Sequence, residues 1–250
     1  RGLAGVGEKL GGIALGLLDL LQIPYTHSGV RASAIAIDKA ATRQLFELAG
    51  LRVPVGRVVP LAAAADTFAA PYVVKPVAEG SSVGVHIVRE GDNRALPADW
   101  PFGGCVLVER YVPGRELTCA VIDSASGTPQ AFPALEIKPR DAFYTYDSKY
   151  ADGGSQHLVP APVPPAIARE IETAALVAHR TLGCRGVSRS DFRYDDTPAP
   201  GAPHGRLYIL ETNTQPGMTP TSLVPEIAAH AGLDFPSLVA RLMEGARCNG

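Results

Sequence analysis

A chain of 250 residues, 46% of them hydrophobic, can bury one substantial core or two smaller ones, which bounds it to a protein of one or two lobes. Its formal net charge of −2 lacks the basic excess that holds nucleic acid. The most apolar early run, residues 10–23, is broken by Gly11, Gly12, Gly16 and Asp19 and is too short to cross a bilayer, so neither nucleic acid nor membrane is an expected partner. Four well-separated cysteines, Cys105, Cys119, Cys184 and Cys248, form no C-x-x-C pair and read as free thiols of a reducing cytosol. No secretory signal is legible, and an initial Arg in place of Met points to a native start further upstream.

In chain order, Ile13, Leu17, Leu20 and Leu21 recur at helical spacing until Pro24 stops the pattern. A Gly- and Ser-bearing loop over residues 24–33 leads into the apolar run Ala34 to Ile37. Asp38 is placed to N-cap a helix with apolar positions Ala41, Leu45 and Leu48, which Gly50 ends as its C′ residue. Lys39 lies in the first turn of that helix, where the dipole disfavours a cation; it is either a solvated lysine or one held there for a function. Residues 71–76 read as a short buried strand carrying Lys75, and Val83 to Val88 as the next. The Gly- and Ser-rich loop between them, preceded by a lysine, has the composition of a flap whose Gly80 to Ser82 amides cradle phosphoryl oxygens, and equally of a plain turn.

Cys105 to Glu109 forms another buried strand, and a polar link leads to a further one ending near Ala120. Glu109 and Glu116, taken alone, read as surface charges. Residues 136–155 combine Phe143, Tyr144, Tyr146 and Tyr150 with a Gly-rich end. Exposed aromatics are costly, so this loop is expected to close on something or to pack permanently on the core. Pro164 and Pro165 open a helix with Ile167, Ile171, Ala174 and Ala178 on one face, ended by Gly183; Asp234 caps a last helix with Phe235, Leu238, Val239 and Leu242 inward. Trp100 and Met218 read as packing residues.

The most informative stretch is a pair of strands, residues 186–194 and 206–213, joined by a linker holding Pro198, Pro200, Gly201, Pro203 and Gly205. Alternation puts Arg189 and Asp191 on one face of the first strand, and Glu211 and Asn213 on one face of the second. A loop centred near Gly201 pairs Asp191 with Glu211 and Arg189 with Asn213. Two carboxylates and an amide oxygen, without His or Cys, suit a hard cation such as Mg²⁺ completed by phosphate and water. A salt-bridged hairpin with a solvated face is the ordinary alternative. Beyond it, residues 214–223 leave through a Pro-Gly turn and a run of hydroxyls, a good surface for a small anion.

Arg189-Ser-Asp191, Glu211-Thr-Asn213, Gln215-Pro-Gly-Met-Thr219 and Ser222-Leu-Val-Pro225 resemble, in order and spacing, the C-terminal signature of the D-alanine:D-alanine ligases, members of the ATP-grasp superfamily. The texts Val74-Lys-Pro-x-x-Glu-Gly-Ser-Ser-Val-Gly84, Ser28-Gly-Val30 and Asp38-Lys39 are similar to the same family. The resemblance covers Gly16 to the end; before it only Gly7-Glu8 survives of the expected motifs. It implies an α/β (α+β) ATP-grasp fold, two sheet-containing lobes clamping a nucleotide, with the family's N-terminal lobe largely absent. The implied division is a remnant of that lobe at 1–37, a central lobe at 38–125 and a C-terminal lobe at 126–250.

It also implies ATP as co-substrate, two Mg²⁺ (or Mn²⁺) ions on Asp191, Glu211 and Asn213, and two D-alanine molecules joined through an acyl phosphate for peptidoglycan precursor synthesis. Lys39, Lys75, Ser82 and Lys149 would meet phosphate; Tyr111 and Val112 would lie along adenine, Glu109 would accept from its amino group, Glu116 would hold the ribose, and Phe143 would close on the base. Ser81, Tyr150, Arg189 and Gly217 would serve the chemistry, Arg189 and the Gly217 amide steadying an oxyanion, and Ser222 and Leu223 would bind the second substrate's carboxylate. Tyr150 favours dipeptide over ester product. A cytoplasmic enzyme, with homodimer as an allowed assembly, is implied. The rival readings are another ATP-grasp ligase joining a carboxylate to an amine or hydroxyl, and a non-catalytic nucleotide-binding homologue. Because the first D-alanine is held in the family by the N-terminal lobe, together with positions matched by Ser81 and Tyr150, this chain is expected to bind ATP with Mg²⁺ yet make dipeptide poorly by itself.

Overall fold

The computed structural model describes residues 6–80, 82–92, 100–139 and 155–248. Two antiparallel sheets organise them. The first has the order β1-β4-β2-β3, built from Gly56–Pro60, Cys105–Arg110, Tyr72–Pro76 and His86–Val88. Its strands alternate: Tyr72, Val74, Val106 and Val108 join Ala64 and Val88 in one apolar cluster, against which Trp100 packs. Lys75 and Glu109, at the intervening positions, face the other way.

The second sheet runs β10-β9-β5-β7-β8, with β6 also pairing with β5: β5 Arg115–Asp123, β6 Pro129–Ala131, β7 Leu135–Pro139, β8 Ser155–Leu158, β9 Val187–Asp195 and β10 Arg206–Asn213. Leu117, Cys119, Val121, Phe192, Tyr194, Leu207 and Ile209 pack beneath helix α4, Pro165–Leu182, through Ile167, Ile171, Ala174, Ala178 and Leu182. On the opposite face β5 changes character along its length. Ala120 and Ile122 are covered by α5 (Leu223–His230) and α6 (Phe235–Glu244), whereas Glu116 and Thr118, on the same face, lie beyond that apolar cluster. Polar chemistry is available where the covering helices stop. β5 is the central strand of this second sheet, and residues 111–114 link it to β4 of the first. Gly114 makes that link possible: its φ is +91°, and a Cβ there would stand 2.1 Å from the Tyr194 carbonyl oxygen.

Three short-range expectations change in the structure. Helix α1, Val6–Leu20, forms, but Ile13, Leu17, Leu20 and Leu21 are exposed and Leu15 is buried, because α1 packs mainly on the helix over Val30–Ile37. The loop expected over residues 24–33 stops earlier, because helix α2, Val30–Ile37, takes in its last residues together with the apolar run Ala34 to Ile37. The strand expected from Val83 begins only at His86, since two successive turns, Val83 N to Gly80 O and Val85 N to Ser82 O, occupy the backbone before it.

Helix α3, Lys39–Leu48, starts at Asp38, whose carboxylate accepts from the Ala40 and Ala41 amides, and ends before Gly50 at φ +78°. Its buried face is Lys39, Thr42, Arg43 and Phe46, rotated from the expected Ala41, Leu45 and Leu48, because Phe46 enters the α4 cluster and Leu48 points to solvent. No helix among the described residues is long and apolar enough to cross a membrane.

All four cysteines are free. Burial pushes the Cys184 thiol from 9.0 up to about 11, and pushes Cys119, fully enclosed, higher still. Burial likewise raises the Tyr25 and Tyr194 phenols. Each keeps its proton in the folded chain after the unfolded chain has lost it. For Cys184 the stability this contributes is complete below pH 9 and is lost as pH rises through 11, roughly 3 kcal/mol in all. Urea unfolding should therefore show a loss of stability between pH 9 and 11. At pH 8 a disulfide reagent should label exposed Cys105 in the native protein and spare Cys119 and Cys184.

Candidate active site

The β9–β10 ladder carries the expected register: Asp191 opposes Glu211 and Arg189 opposes Asn213, with one irregularity between Ile209 and Glu211. The hairpin closes at Ala199 and Ala202, on either side of Pro200 and Gly201. Directly opposed like charges are unfavourable, and each carboxylate has a cation beside it. Arg189 forks onto Asp191, Nε to Oδ1 at 2.9 Å and Nη2 to Oδ2 at 2.8 Å, while Thr118 Oγ1 donates to Oδ1 at 2.6 Å. Lys39 Nζ stands 3.9 Å from Glu211 Oε2. Asn213 Oδ1 accepts from the Gln215 amide at 2.8 Å, which turns the chain into the hydroxyl-rich segment.

Lys39 is not a solvated lysine. It is 8% exposed, its Nζ also donates to the Glu79 carbonyl, and its own amide donates to the Val77 carbonyl at 2.9 Å. The loop after Lys75 is thus docked on the start of α3 and joined through Lys39 to β10. Lys75 itself extends to Glu109 Oε2 at 2.5 Å. Glu109 is not a surface charge either: it is 2% exposed and also holds Arg43 Nη1 at 2.7 Å. Tyr111 and Val112 form the link between sheets; Arg193 Nε donates to the Val112 carbonyl at 3.2 Å, its Nη2 to the Gly114 carbonyl at 2.9 Å, and its Nη1 lies 4.0 Å from Glu116.

In the segment after β10, Gly217 faces Ser222, whose hydroxyl accepts from the Thr219 amide at 3.1 Å and pairs with the Thr219 hydroxyl at 2.8 Å. Ser222 stands at the N-terminus of α5 and Leu223 begins it, packing on the apolar cluster below. Ser82 has φ 58° at the tip of the loop between β2 and β3. Ser81, Phe143, Lys149 and Tyr150 lie outside the described residues. The structure brings together Lys39, Asp191, Glu211, Arg189 and Asn213 as one group and Lys75 with Glu109 as a second. Thr118 joins the first group and Arg43 the second, while Arg193 holds the β4–β5 link beside Glu116; none of the three was expected. Arg193 was within reach of the strand alternation through Arg189 and Asp191; Arg43 and Thr118 had no local signal.

Among the described residues there is no cluster of three His, Cys, Asp or Glu side chains. The donor set here is instead two carboxylates and an amide oxygen, adjacent in one ladder and each carboxylate already attended by a cation. That set fits a hard divalent ion.

This architecture recurs in solved enzymes. The D-alanine--D-alanine ligase of Bacillus anthracis complexed with ATP superposes with a TM-score of 0.74 at 29% identity, over 94% of this chain and 74% of that one. The VanG D-Ala:D-Ser ligase of Enterococcus faecalis superposes with a TM-score of 0.78 at 28% identity, over 94% and 68%. The fold is that of the ATP-grasp ligases. Within that class, residues 58–244 match the model of the D-ala D-ala ligase C-terminus, and the D-alanine--D-alanine ligase of Granulibacter bethesdensis is 54% identical over 95% of this chain and 76% of its own length. The chain belongs to the D-alanine--D-alanine ligase family.

Proposed function

We propose that this protein joins two D-alanine molecules into D-alanyl-D-alanine, a peptidoglycan precursor, in the cytoplasm, with ATP converted to ADP and phosphate. The observation that carries the reading is the pairing of Asp191 with Glu211 beside Lys39, the residue that also fastens the phosphate-type loop at Glu79. A carboxylate is a poor electrophile until one of its oxygens becomes a leaving group. In the first step a carboxylate oxygen of one D-alanine attacks the γ-phosphorus, and the bond to the ADP oxygen breaks. In the second, the amine of the other D-alanine attacks the acyl carbon, phosphate leaves, and the amine loses a proton. Moving a phosphoryl group is mostly a matter of alignment and of neutralising spread charge.

Lys39 and Lys75 supply that charge in this reading, with Glu109 and the Tyr111–Val112 link holding adenine and Glu116 the ribose. Asp191, Glu211 and Asn213 would hold Mg²⁺, which when bound neutralises phosphate oxygens. Arg189, kept in place by its fork onto Asp191, and the Gly217 amide would steady the oxyanion of the second step. Ser222 and the start of α5 offer a hydroxyl and a helix N-terminus to the second carboxylate. Ser81, Lys149, Tyr150 and Phe143 are assigned by sequence to the chemistry and the closing of the site.

The test is ADP release with Mg²⁺ and each of D-alanine, D-serine and D-lactate, with products weighed by mass spectrometry. D-alanine-dependent ADP release with the dipeptide as product is expected. ADP release only with D-lactate or D-serine as second substrate would assign a different ligase, and nucleotide binding without turnover on the full-length enzyme would overturn the catalytic reading.

A further inference from the structure

The buried face of α3 carries a cation that none of the chemistry above uses. Arg43 is 8% exposed. Its Nη1 donates to the Pro54 carbonyl at 2.6 Å and to Glu109 Oε1 at 2.7 Å, and its Nη2 reaches Glu47 at 3.4 Å. The other Glu109 oxygen meets Lys75 Nζ at 2.5 Å. A carboxylate this far from water is costly to bury unless it is paired, and here two cations share it. The two differ in what they can do. Lys75 is a point charge on a flexible stem and, as a phosphate ligand, has a second anion to serve. Arg43 is a planar donor anchored to a backbone carbonyl and keeps its proton at any working pH.

We propose that Arg43 is a positioning residue that sets base specificity through Glu109. It never touches the nucleotide; it keeps Glu109 paired and aimed when Lys75 turns to phosphate. The inference rests on the reading of Glu109 as the acceptor for the adenine amino group. An ionised carboxylate can only accept, so it favours the 6-amino group of adenine and opposes the 6-oxo group of guanine, itself an acceptor. Without Arg43, the buried Glu109 either retains Lys75 permanently or loses the anchor that aims it. The first withdraws charge from the phosphates; the second loses the fixed acceptor that tells adenine from guanine.

The test is calorimetric titration of MgADP and MgGDP into the chain and into Arg43→Met, Arg43→Lys, Glu109→Gln and the double variant Arg43→Met/Glu109→Gln, with melting curves as the control for folding. Arg43→Met should weaken ADP binding at least ~10-fold and lower the ADP-to-GDP preference by a similar factor, while the lysine variant, which cannot bond Pro54 and Glu109 together, should fall between. A glutamine amide can turn either way, so Glu109→Gln should also lose the preference, and adding Arg43→Met to it should change ADP affinity less than about twofold. Equal losses for ADP and GDP, no loss, or additive losses in the double variant would overturn the proposal. If Arg43→Met does not fold, the wild-type preference persisting in Arg43→Lys would do so. Preference lost in Glu109→Gln but intact in both Arg43 variants defeats this inference alone; preference intact in Glu109→Gln defeats the adenine reading and the inference with it.

Discussion

Glu211→Gln is expected to lower D-alanine-dependent ADP release by at least ~10³-fold, about 4 kcal/mol of barrier, with the fold intact. The side chain keeps its shape but becomes a neutral, weaker ligand for a hard cation, and one of the two opposed carboxylates is lost. Stability without metal should hold or rise slightly. The Glu211 side chain is 35% exposed, its contact to Lys39 is long at 3.9 Å and worth little, and the substitution relieves repulsion from Asp191. Melting curves should therefore coincide in EDTA, whereas the rise in melting temperature that Mg²⁺ with nucleotide gives the parent protein should be absent. Activity within tenfold of the parent at ordinary Mg²⁺ would remove Glu211 from the metal site.

The largest loss of stability is expected from Arg115→Met. Arg115 forks onto Glu136, Nε to Oε1 at 2.8 Å and Nη2 to Oε2 at 2.7 Å, and both terminal nitrogens reach the Pro162 carbonyl at 3.1 Å. This hydrogen bonding to Glu136 holds the Arg115 proton more tightly than usual. Glu136 is 3% exposed, so removing the arginine leaves a buried carboxylate unpaired at the junction of β5 and β7. Breaking such a pair from one side costs ~3–5 kcal/mol, or roughly 10 °C in melting temperature for a chain of this size. The deficit should largely vanish in Arg115→Met/Glu136→Gln, where both partners are neutral. A urea-measured loss under about 1 kcal/mol for the single variant would mean that water reaches Glu136 after all.

Features governed by neighbours along the chain were legible without the fold. Side chains alternate strictly in a strand and Gly201 lies at the tip of the hairpin, so the pairing of Asp191 with Glu211 and Arg189 with Asn213 followed from the residues alone. Caps are equally local: Asp38 and Asp234 begin helices, and Gly50 and Gly183 end them. The ligase signature lay mostly in such segments, so the reaction class was readable.

What the sequence could not decide depends on which distant surface each element meets. α3 has two candidate faces; the one buried is set by room for Phe46 under α4 and by a carboxylate 66 residues away that needs Arg43. Lys39, read alone as either a solvated or a functional lysine, and Glu109, read alone as a surface charge, become buried only because the loop after Lys75 docks on α3 and β4 turns Glu109 toward the same interior. Which sheet β5 joins is decided in the same way. β5 carries alternating polar and apolar residues that would suit either sheet locally, and only its pairing with β9 and β7 places Glu116 and Thr118 beside Arg193 and Asp191. Period and capping act within a few residues of the chain, while burial of charge is settled by partners that the chain brings together only on folding.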